Sequence, residues 1–421
     1  MRKLLVLIAL LVMPILLVIA FTHSATASVS PPADEPMLTE DEVPSQDCED
    51  GEQASGAKYR ICLPTGEWND LVVYAHGYVA PDKPVEIPED QLILRWDDQS
   101  VRVDEVVTLM GYAFATTSYY TNGLAVQPAI SDLLDLVNTF ITVTERIPDH
   151  VYLAGVSEGG LITTLSVEQH PDIYDGGLAM CGPYGDLHGQ VNHFADFRAV
   201  FDYFFPGLMP GSPITIPDEL LDTWETGFFT DTVRPEVIDP ANITRVDQLL
   251  NVTGVSPYGY DLPTSTASIE NLLWYNVFAT NDARAKLGGQ PFDNQDREYS
   301  GSSDDVTLNQ GVERFSADQV ALDEIEAHYQ TSGELSVPLV TLHTTGDPVV
   351  PYWHATRYKG KTIAADNIAL HEHFRVERHG HCSFTLVEVL DAFNRMVYLA
   401  ENPPQYQPVN RVFLPLTVRG G

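Results

Sequence analysis

A serine flanked by glycines is the feature of this sequence that most directly predicts chemistry. Residues 155–159 read GVSEG, so small residues stand two positions before and two positions after Ser157. A serine hydroxyl is a poor nucleophile at neutral pH, and an enzyme that uses one must project it from a strained turn beside a base and near oxyanion donors. Glycines at these two positions make such a turn sterically feasible. We therefore predict that Ser157 is a nucleophile.

The residues around this segment favour the same interpretation. Residues 151–154, VYLA, are typical of a buried strand, and residues 161–170 have the pattern of a helix. Gly160 would let that helix pack close to the strand. A five-residue match of this kind can occur by chance, so the strand before it and the helix after it carry the prediction. The alternative is a glycine-flanked serine in an ordinary strand-to-helix turn.

Two backbone NH groups are the expected donors to the oxyanion of a tetrahedral intermediate. One belongs to Glu158, the residue after the predicted nucleophile. The other is predicted at Tyr78, because the apolar run 71–75 ends in His-Gly-Tyr and the glycine permits an unusual turn there. His-Gly at a strand end is common in turns of all kinds, so this second donor depends on the prediction for Ser157.

A carboxylate that could orient a base follows a later predicted strand. Residues 337–343 read as a strand, and the turn after it contains Asp347 in the segment Gly-Asp-Pro. This position would place the carboxylate just beyond the carboxyl end of the strand. The alternative is an ordinary Asp-Pro turn residue without a catalytic role.

The base is predicted on the last loop of the sheet. Residues 369–376 read as a strand and lead into a loop that contains His379 and His381. We favour His381, which lies close to the start of the final helix, and we keep His379 as the alternative. His381 follows Asp347 by 34 residues, which leaves room for the helix and strand that a parallel neighbour requires. Two solvated loop histidines are the non-catalytic alternative.

Together these segments resemble the α/β-hydrolase superfamily. The resemblance rests on residues 76–78, 155–160, 346–348 and 380–382, and it covers roughly residues 57–182 and 337–402. Members of this superfamily carry the nucleophile, the acid and the histidine in that chain order. The resemblance implies Ser157 as nucleophile, Asp347 as orienting acid, His381 as base, and the NH groups of Tyr78 and Glu158 as oxyanion donors. The segment HGY departs from the HGGG type, so the substrate class stays open.

The alternation of short apolar runs with helical segments predicts a mainly parallel α/β sheet. The expected fold is the α/β-hydrolase fold, with helices on both faces of the sheet and an inserted, largely helical cap. A separate domain with its own activity is the alternative for the insertion. The predicted organisation is a signal peptide (1–27), a spacer (28–56), the first part of the core (57–183), the cap (184–333), the second part of the core (334–403) and a C-terminal tail (404–421).

The N-terminus and the overall charge bear on location and partners. Two basic residues precede an apolar run over residues 4–21, and residues 25–27, ATA, form a small-residue cleavage signal. This pattern predicts a secreted or extracytoplasmic protein, with an uncleaved membrane anchor as the alternative. The net charge of −36 would repel phosphate backbones and anionic lipid headgroups, which argues against nucleic-acid binding.

Four cysteines can form structural disulfides in such a compartment. Of the three connectivities, we favour Cys48 with Cys62 and Cys181 with Cys382. The first two cysteines are close in sequence. The second pair is predicted only because both residues should lie near the catalytic edge of the sheet.

A serine nucleophile indicates acyl transfer, in which Ser157 attacks an ester or amide carbonyl and water then releases the acid. The expected activity is hydrolysis of carboxylic esters, with small-molecule esters or short peptides as substrates. A prolyl-oligopeptidase-like peptidase and a non-catalytic binding protein on the same fold are the alternatives. The sequence contains no phosphate loop, dinucleotide fingerprint or metal-binding motif, so we expect neither a cofactor nor a metal.

Overall fold

The computed structural model of this protein describes residues 47–96, 99–255 and 261–403. The predicted signal peptide (1–27), most of the predicted spacer and the predicted C-terminal tail (404–421) lie outside the described residues. Within the described ranges, no helix has both the length and the apolar character needed to cross a membrane.

Ten strands and twelve α-helices make up the described chain. The strands are β1 (Asp47–Glu52), β2 (Lys58–Leu63), β3 (Leu71–Ala75), β4 (Ile93–Trp96), β5 (Gln99–Arg102), β6 (Ala113–Thr117), β7 (Val151–Val156), β8 (Gly176–Met180), β9 (Leu339–Gly346) and β10 (His371–His379). The helices that flank the sheet are α1 (Val103–Leu109), α2 (Val126–Thr144), α3 (Glu158–Gln169), α11 (Trp353–Ala364) and α12 (Leu386–Glu401). The helices between β8 and β9 are α4 (Leu187–Phe204), α5 (Asp218–Thr223), α6 (Arg234–Ile238), α7 (Ile243–Val252), α8 (Leu262–Lys286), α9 (Asp305–Gly311) and α10 (Gln319–His328).

Eight strands form one sheet in the order β1-β2-β6-β3-β7-β8-β9-β10, while β4 and β5 form a separate hairpin. From β6 to β10 every neighbouring pair is parallel, and only β1 with β2 and β2 with β6 are antiparallel. Parallel strands need helices on both faces, because neither face can be left to water. The predicted fold class, a mostly parallel sheet with helices around it, is therefore confirmed.

The alternation of side chains along the strands sends apolar residues to both faces. Leu71, Val73 and Ala75 of β3 join one buried cluster with residues of α2, α3 and α11. Val72 and Tyr74 of the same strand join the opposite cluster, with residues of α1 and α12. The two faces are thus covered by different helices, and the strand ends stay free for the site.

The sheet begins earlier than the sequence predicted. The interpretation of residues 47–56 as part of a spacer was wrong, since β1 pairs with β2 along its whole length and Cys48 stands opposite Cys62. Four of the six residues of β1 are acidic and five are exposed, so the strand has no apolar period and no hydrophobic signal. Its pairing comes from backbone hydrogen bonds and from the Cys48–Cys62 disulfide instead.

The segment between β8 and β9 is largely helical, as predicted for the cap, and has its own apolar cluster. Phe197, Phe201, Leu249, Ile269 and Leu273 belong to this cluster, and all are buried. The segment also packs onto the sheet domain, since residues from α8 and α10 join the cluster formed by α2 and α3. We call this segment the cap.

Helix α3 approaches β3 very closely at its first turn. A Cβ atom at Gly159 would lie 2.1 Å from the carbonyl oxygen of Ala75, which is a backbone atom that cannot move aside easily. Glycine at this position lets the helix begin directly beneath the carboxyl ends of the strands, which is where the site is built.

We expect Gly159→Ala to destabilise the protein by more than about 2 kcal/mol, because the added methyl group overlaps the backbone of β3. Gly360→Ala is the matched control: Gly360 is an exposed glycine inside α11 with no atom within 4 Å of the added Cβ. Its substitution should stabilise the protein by about 0.5–1 kcal/mol. Urea unfolding of the two variants measures both changes, and equal effects would contradict the close approach of α3 to β3.

Candidate active site

Ser157 lies on a sharp turn between β7 and α3. Its backbone angles are φ 58° and ψ −121°, a strained conformation for a residue with a side chain. The turn is held because the NH of Ser157 donates to the carbonyl of Met180 at 2.9 Å. A Cβ atom at Gly155 would lie 2.1 Å from the carbonyl oxygen of Gly159, so the two ends of the turn touch. The predicted serine is therefore presented at the carboxyl end of β7 by a strained elbow.

The structure brings Ser157, His381 and Asp347 together. The hydroxyl of Ser157 lies 2.8 Å from Nε2 of His381, although the two residues are 224 positions apart in the chain. Nδ1 of His381 lies 2.7 Å from Oδ2 of Asp347. In the arrangement that suits proton transfer, the serine donates to Nε2 and the Nδ1–H group donates to the carboxylate. These distances allow the imidazole to accept the serine proton while Asp347 holds its orientation.

The carboxylate of Asp347 is fixed by the turn on which it lies. Its Oδ1 atom accepts hydrogen bonds from the NH groups of Val349 and Val350, both at 2.9 Å. The remaining oxygen, Oδ2, faces His381. Asp347 is only 6% exposed. Each of its two carboxylate oxygens has hydrogen-bond partners, which compensate for the burial of its charge.

A second, buried histidine lies near the same carboxylate oxygen. Nε2 of His343 is 3.7 Å from Oδ2 of Asp347, but it donates to the carbonyl of Val350 at 2.8 Å. Its Nδ1 atom accepts from the hydroxyl of Tyr184 at 3.1 Å. Burial lowers the pKa of His343, so the ring is neutral and braces the Asp347 turn without competing for its charge.

His379, the alternative base, is placed elsewhere. It is the last residue of β10, and its Nε2 atom lies 3.3 Å from the hydroxyl of Ser268 on α8. His381 lies two residues further on, after Gly380, whose φ of 112° turns the chain back toward β9. The NH of Gly380 donates to the carbonyl of Gly346 at 3.0 Å, which joins the histidine loop to the end of β9.

A disulfide connects the histidine loop to the strand beside the nucleophile. Cys382 follows His381 directly, and it is bonded to Cys181, the residue after β8. The NH of Cys181 donates to the carbonyl of Leu342 in β9 at 2.8 Å. Both predicted cysteine pairings therefore occur in the structure, and this one fixes the loop that carries the base.

The segment after β3 passes directly beside the serine. A Cβ atom at Gly77 would lie 3.0 Å from Cβ of Ser157. The NH of Gly77 donates to the side-chain oxygen of Gln91 at 2.7 Å, and the Gln91 amide donates to the carbonyl of Tyr78 at 3.1 Å. Gln91 therefore holds this segment in place, and no pattern in the sequence pointed to it.

The two predicted oxyanion donors are available in the structure. Neither the backbone NH of Tyr78 nor that of Glu158 donates to another residue within the described ranges. Glu158 opens α3, so its NH belongs to the first turn of a helix, where such groups have no intrahelical partner. The NH of Gly77 is excluded as a donor because Gln91 already accepts it.

The side chain of Glu158 is a buried carboxyl next to the nucleophile. Its Oε1 atom accepts from the NH of Ala125 at 3.1 Å. Burial raises the pKa of Glu158 from 4.5 to about 8, partly opposed by that hydrogen bond and by the charge of Lys286. The carboxyl is therefore largely neutral at pH 7, and it adds no negative charge beside the oxyanion donors.

Aromatic residues of the cap face the site from above. Tyr275 on α8 and Phe194 on α4 stack with parallel rings, 4.9 Å between centroids. Both line a small pocket of about 50 Å³, whose largely apolar walls include Ile214 and Phe292. The ring of Tyr275 also packs against that of Tyr78, with 5.8 Å between the centroids. No periodicity in the sequence indicated which aromatic residues of the cap would line this pocket.

Two groups of potential metal ligands occur among the described residues, and both contain disulfide sulfurs. One group consists of Cys181, His381 and Cys382, and the other of Cys48, Cys62 and Asp104. A sulfur in a disulfide is not a thiolate and does not bind metal as one. The oxidised protein therefore offers no thiolate ligands at either place.

Removal of the Cys181–Cys382 disulfide should impair the site more than removal of the other disulfide. We expect Cys181→Ala/Cys382→Ala to lower kcat at least about tenfold, because the loop that carries His381 loses its covalent connection to β8. Cys48→Ala/Cys62→Ala is the matched control, since that pair lies at the far edge of the sheet. Ester hydrolysis by both variants, measured where each remains folded, makes the comparison. Equal losses of kcat would contradict a positioning role.

Glu158→Gln should change how stability depends on pH. The carboxyl has a pKa near 4.5 when unfolded and about 8 when folded, so between these values the unfolded state binds fewer protons. The wild-type free energy of unfolding should therefore fall as pH rises from 5 to 8, by up to about 1 kcal/mol per pH unit. Glutamine keeps the acceptor for Ala125 and does not ionise. Urea unfolding at several pH values should show the variant gaining on the wild type across this window, and parallel curves would contradict the shifted pKa.

Comparison with known proteins finds distant structural similarity. No protein-family model and no curated protein matches the sequence. An esterase from Aspergillus oryzae matches with a TM-score of 0.48 and 13% identity, over 83% of this chain and 78% of that one. An esterase from Pyrococcus furiosus matches with a TM-score of 0.43 and 12% identity, over 90% and 99% of the two chains. The acylaminoacyl peptidase of Pyrococcus horikoshii matches 87% of this chain with a TM-score of 0.41 and 9% identity, and this chain spans only 43% of its length.

Similarities this distant carry no information about activity, and the fold is identified by the chain's own features. The sheet is parallel from β6 to β10, and a strained elbow joins β7 to α3. Asp347 follows β9 and His381 follows β10, in the chain order of serine, acid and histidine. The cap enters between β8 and β9, after the elbow and before the acid. This chain therefore has the α/β-hydrolase fold that its sequence predicted.

Proposed function

We propose that this protein is a serine hydrolase that cleaves carboxylic esters through an acyl-enzyme intermediate. The observation that carries the proposal is the continuous chain of contacts from Ser157 to His381 to Asp347, at 2.8 and 2.7 Å. A nucleophile, a base and an orienting carboxylate in this geometry have the roles that acyl transfer requires. Ser157, His381 and Asp347 are assigned these three roles in turn.

In the first half of the reaction, Oγ of Ser157 attacks the ester carbonyl carbon and its proton passes to Nε2 of His381. The carbonyl oxygen becomes negative and accepts hydrogen bonds from the NH groups of Tyr78 and Glu158. The tetrahedral intermediate then collapses: the bond to the alcohol oxygen breaks, and His381 returns the proton to that oxygen. The alcohol leaves and the acyl group remains on Ser157.

In the second half, water takes the place of the alcohol. His381 accepts a proton from the water as its oxygen attacks the acyl carbon, and the same two NH groups stabilise the oxyanion. Collapse breaks the bond to Oγ of Ser157, which recovers its proton from His381. The acid leaves, and the site returns to its starting protonation state with one ester and one water consumed.

The surroundings of the site support a small ester with an apolar group as substrate. The pocket between α4 and α8 has largely apolar walls, and its Tyr275 ring packs against Tyr78, which follows the Gly77 that lies beside Ser157. Burial of an apolar group in such a pocket contributes roughly 25 cal/mol per Å² of surface removed from water. The two disulfides and the acidic surface suit an extracytoplasmic location, which belongs to the same proposal.

Hydrolysis of nitrophenyl esters with graded acyl length tests the proposal. The wild type should release nitrophenol, and Ser157→Ala should lose at least about a thousandfold in kcat/KM, because the nucleophile is absent. A fluorophosphonate probe should label wild type at Ser157 and leave the variant unlabelled. Ser383→Ala, which changes a serine in the histidine loop outside the Ser157–His381–Asp347 contacts, is the control for a nonspecific effect of removing a hydroxyl.

The same experiment separates the alternatives. Faster cleavage of proline-containing peptide amides than of esters would identify the protein as a peptidase and not as an esterase. Equal ester hydrolysis by wild type and Ser157→Ala would exclude Ser157 as the nucleophile. Absence of both hydrolysis and labelling in the wild type would favour a binding protein on this fold.

A further inference from the structure

The first helix of the cap, α4, contacts the turn that carries Asp347. Two polar side chains of α4 reach this turn, Gln190 and His193, which are three residues apart and so lie on one face of the helix. Nε2 of His193 donates to the carbonyl of Pro348 at 2.8 Å, and the side-chain amide of Gln190 donates to the carbonyl of Val349 at 2.8 Å. The cap therefore holds two consecutive backbone carbonyls next to Asp347.

These two carbonyls belong to the peptide groups that bind the carboxylate. The peptide group with the Pro348 carbonyl also contains the NH of Val349, which donates to Oδ1 of Asp347. The next peptide group joins the Val349 carbonyl to the NH of Val350, the second donor to the same oxygen. A trans peptide group is planar, and its C=O and NH bonds point in opposite directions. A hydrogen bond at the carbonyl end therefore fixes the direction of the NH end.

A buried histidine fixes the orientation of the Gln190 side chain. The NH of Gly185 donates to Nδ1 of His354 at 3.2 Å, so the proton of this imidazole is on Nε2. Nε2 of His354 then donates to the side-chain oxygen of Gln190 at 2.8 Å, which directs the amide NH2 group at Val349. Gln190 is 4% exposed and His354 is 0% exposed, and burial holds the pKa of His354 well below its usual value. The donors in this buried chain therefore all point toward the Asp347 turn.

A third buried donor to this turn, His343 of β9, has a different effect. It donates to the carbonyl of Val350. That carbonyl belongs to the peptide group of Pro351, which has no NH to offer to the carboxylate of Asp347. Of the three contacts, the two from α4 therefore act on peptide groups that bind the carboxylate.

Helix α4 itself is held in place by the cap. Phe197 and Phe201, one and two turns beyond His193, are fully buried in the apolar cluster of the cap. At the start of the helix, the side chain of Asp186 accepts from the NH of Gly189 at 3.0 Å. The two polar side chains of α4 are therefore presented from a fixed helix.

We propose that Gln190 and His193 are positioning residues for the reaction. They orient the two NH groups that bind Oδ1 of Asp347, and the carboxylate held in this way orients His381. This inference rests on the proposed function and extends the catalytic arrangement into the cap. Neither side chain gives up or accepts a proton in the reaction. Loss of either donor would free one peptide group to rotate and would redirect the carboxylate.

His193→Leu is the test variant, because His193 is half-buried and leucine keeps much of its bulk without the donor. We expect kcat for a nitrophenyl ester to fall about 5- to 30-fold with little change in KM, because a misdirected carboxylate impairs proton transfer and not substrate binding. His193→Gln should recover most of this loss, since its side-chain NH2 group can reach the same carbonyl. His188→Leu is the matched control: this histidine is on the same helix, and its Nε2 atom lies 3.2 Å from the carbonyl of Pro291 within the cap.

A double-mutant cycle with Asp347→Asn separates positioning from a general effect on the cap. If His193 acts through Asp347, adding His193→Leu to Asp347→Asn should change kcat by less than about twofold. An effect through cap stability would lower kcat by the same factor in both backgrounds, and thermal unfolding of each variant would show it.

The variants give distinguishable outcomes. If the wild type hydrolyses esters and His193→Leu has the same kcat as His188→Leu, the inference is wrong while the proposed function stands. Equal losses with and without Asp347→Asn would also overturn it, as would a folded His193→Gln that recovers no activity. If His193→Leu does not fold, His193→Asn replaces it, because the shorter amide does not reach the position of the histidine Nε2 atom. If the wild type shows no hydrolysis and no Ser157 labelling, the proposed function fails and the inference fails with it.

Discussion

The buried carboxylate of Asp347 needs hydrogen-bond donors from the protein, because little water reaches it. This requirement constrains the rest of the site. Two of the donors to Asp347 are backbone NH groups of its own turn, so the turn after β9 can adopt only a conformation that aims Val349 and Val350 at Oδ1. The third is Nδ1–H of His381. An uncompensated charge at this depth would cost several kcal/mol, so the histidine loop is drawn to the end of β9. The position of Nε2, and hence its distance from Ser157, follows from that contact.

The parallel sheet makes this contact attainable. Parallel strands end on the same edge, so β7, β9 and β10 deliver residues that are far apart in the chain to one place. The Cys181–Cys382 disulfide then reduces the freedom of the histidine loop relative to β8. A hydrogen bond to Met180 connects the elbow to the same strand. The nucleophile and the base are therefore both connected to β8, the strand that lies between β7 and β10 in the sheet.

The cap is part of the site rather than a cover over it. It contributes the apolar pocket walls, while the core contributes the proposed donors and the nucleophile. The two parts meet at α8, where Asp282 and the carbonyl of Phe278 accept hydrogen bonds from core residues. Next to this contact the buried carboxyl of Glu158 is largely neutral at pH 7, because burial raises its pKa to about 8. A change in cap docking would therefore alter both the pocket and the donor set.

The sequence by itself determined the features that depend on local chemistry. An apolar strand followed by GVSEG and a helix predicts the elbow at Ser157, and alternating strands and helices predict a parallel sheet. The order of Asp347 and His381 after the serine follows from the chain, and so does the proposed cap. These signals are periodicity and glycine placement, which operate over a few residues.

Only the tertiary structure decided which distant groups meet. It separated His381 from His379, because β10 ends at His379 and the turn at Gly380 directs only the later residue to Asp347. It showed β1, an acidic strand without an apolar period, whose place in the sheet depends on its pairing with β2 and on the Cys48–Cys62 disulfide. It also revealed Gln91, a polar residue that holds the segment beside the serine and belongs to no local pattern. The positions of these groups depend on packing between segments that are remote in the chain, and such packing produces no periodic pattern in the sequence.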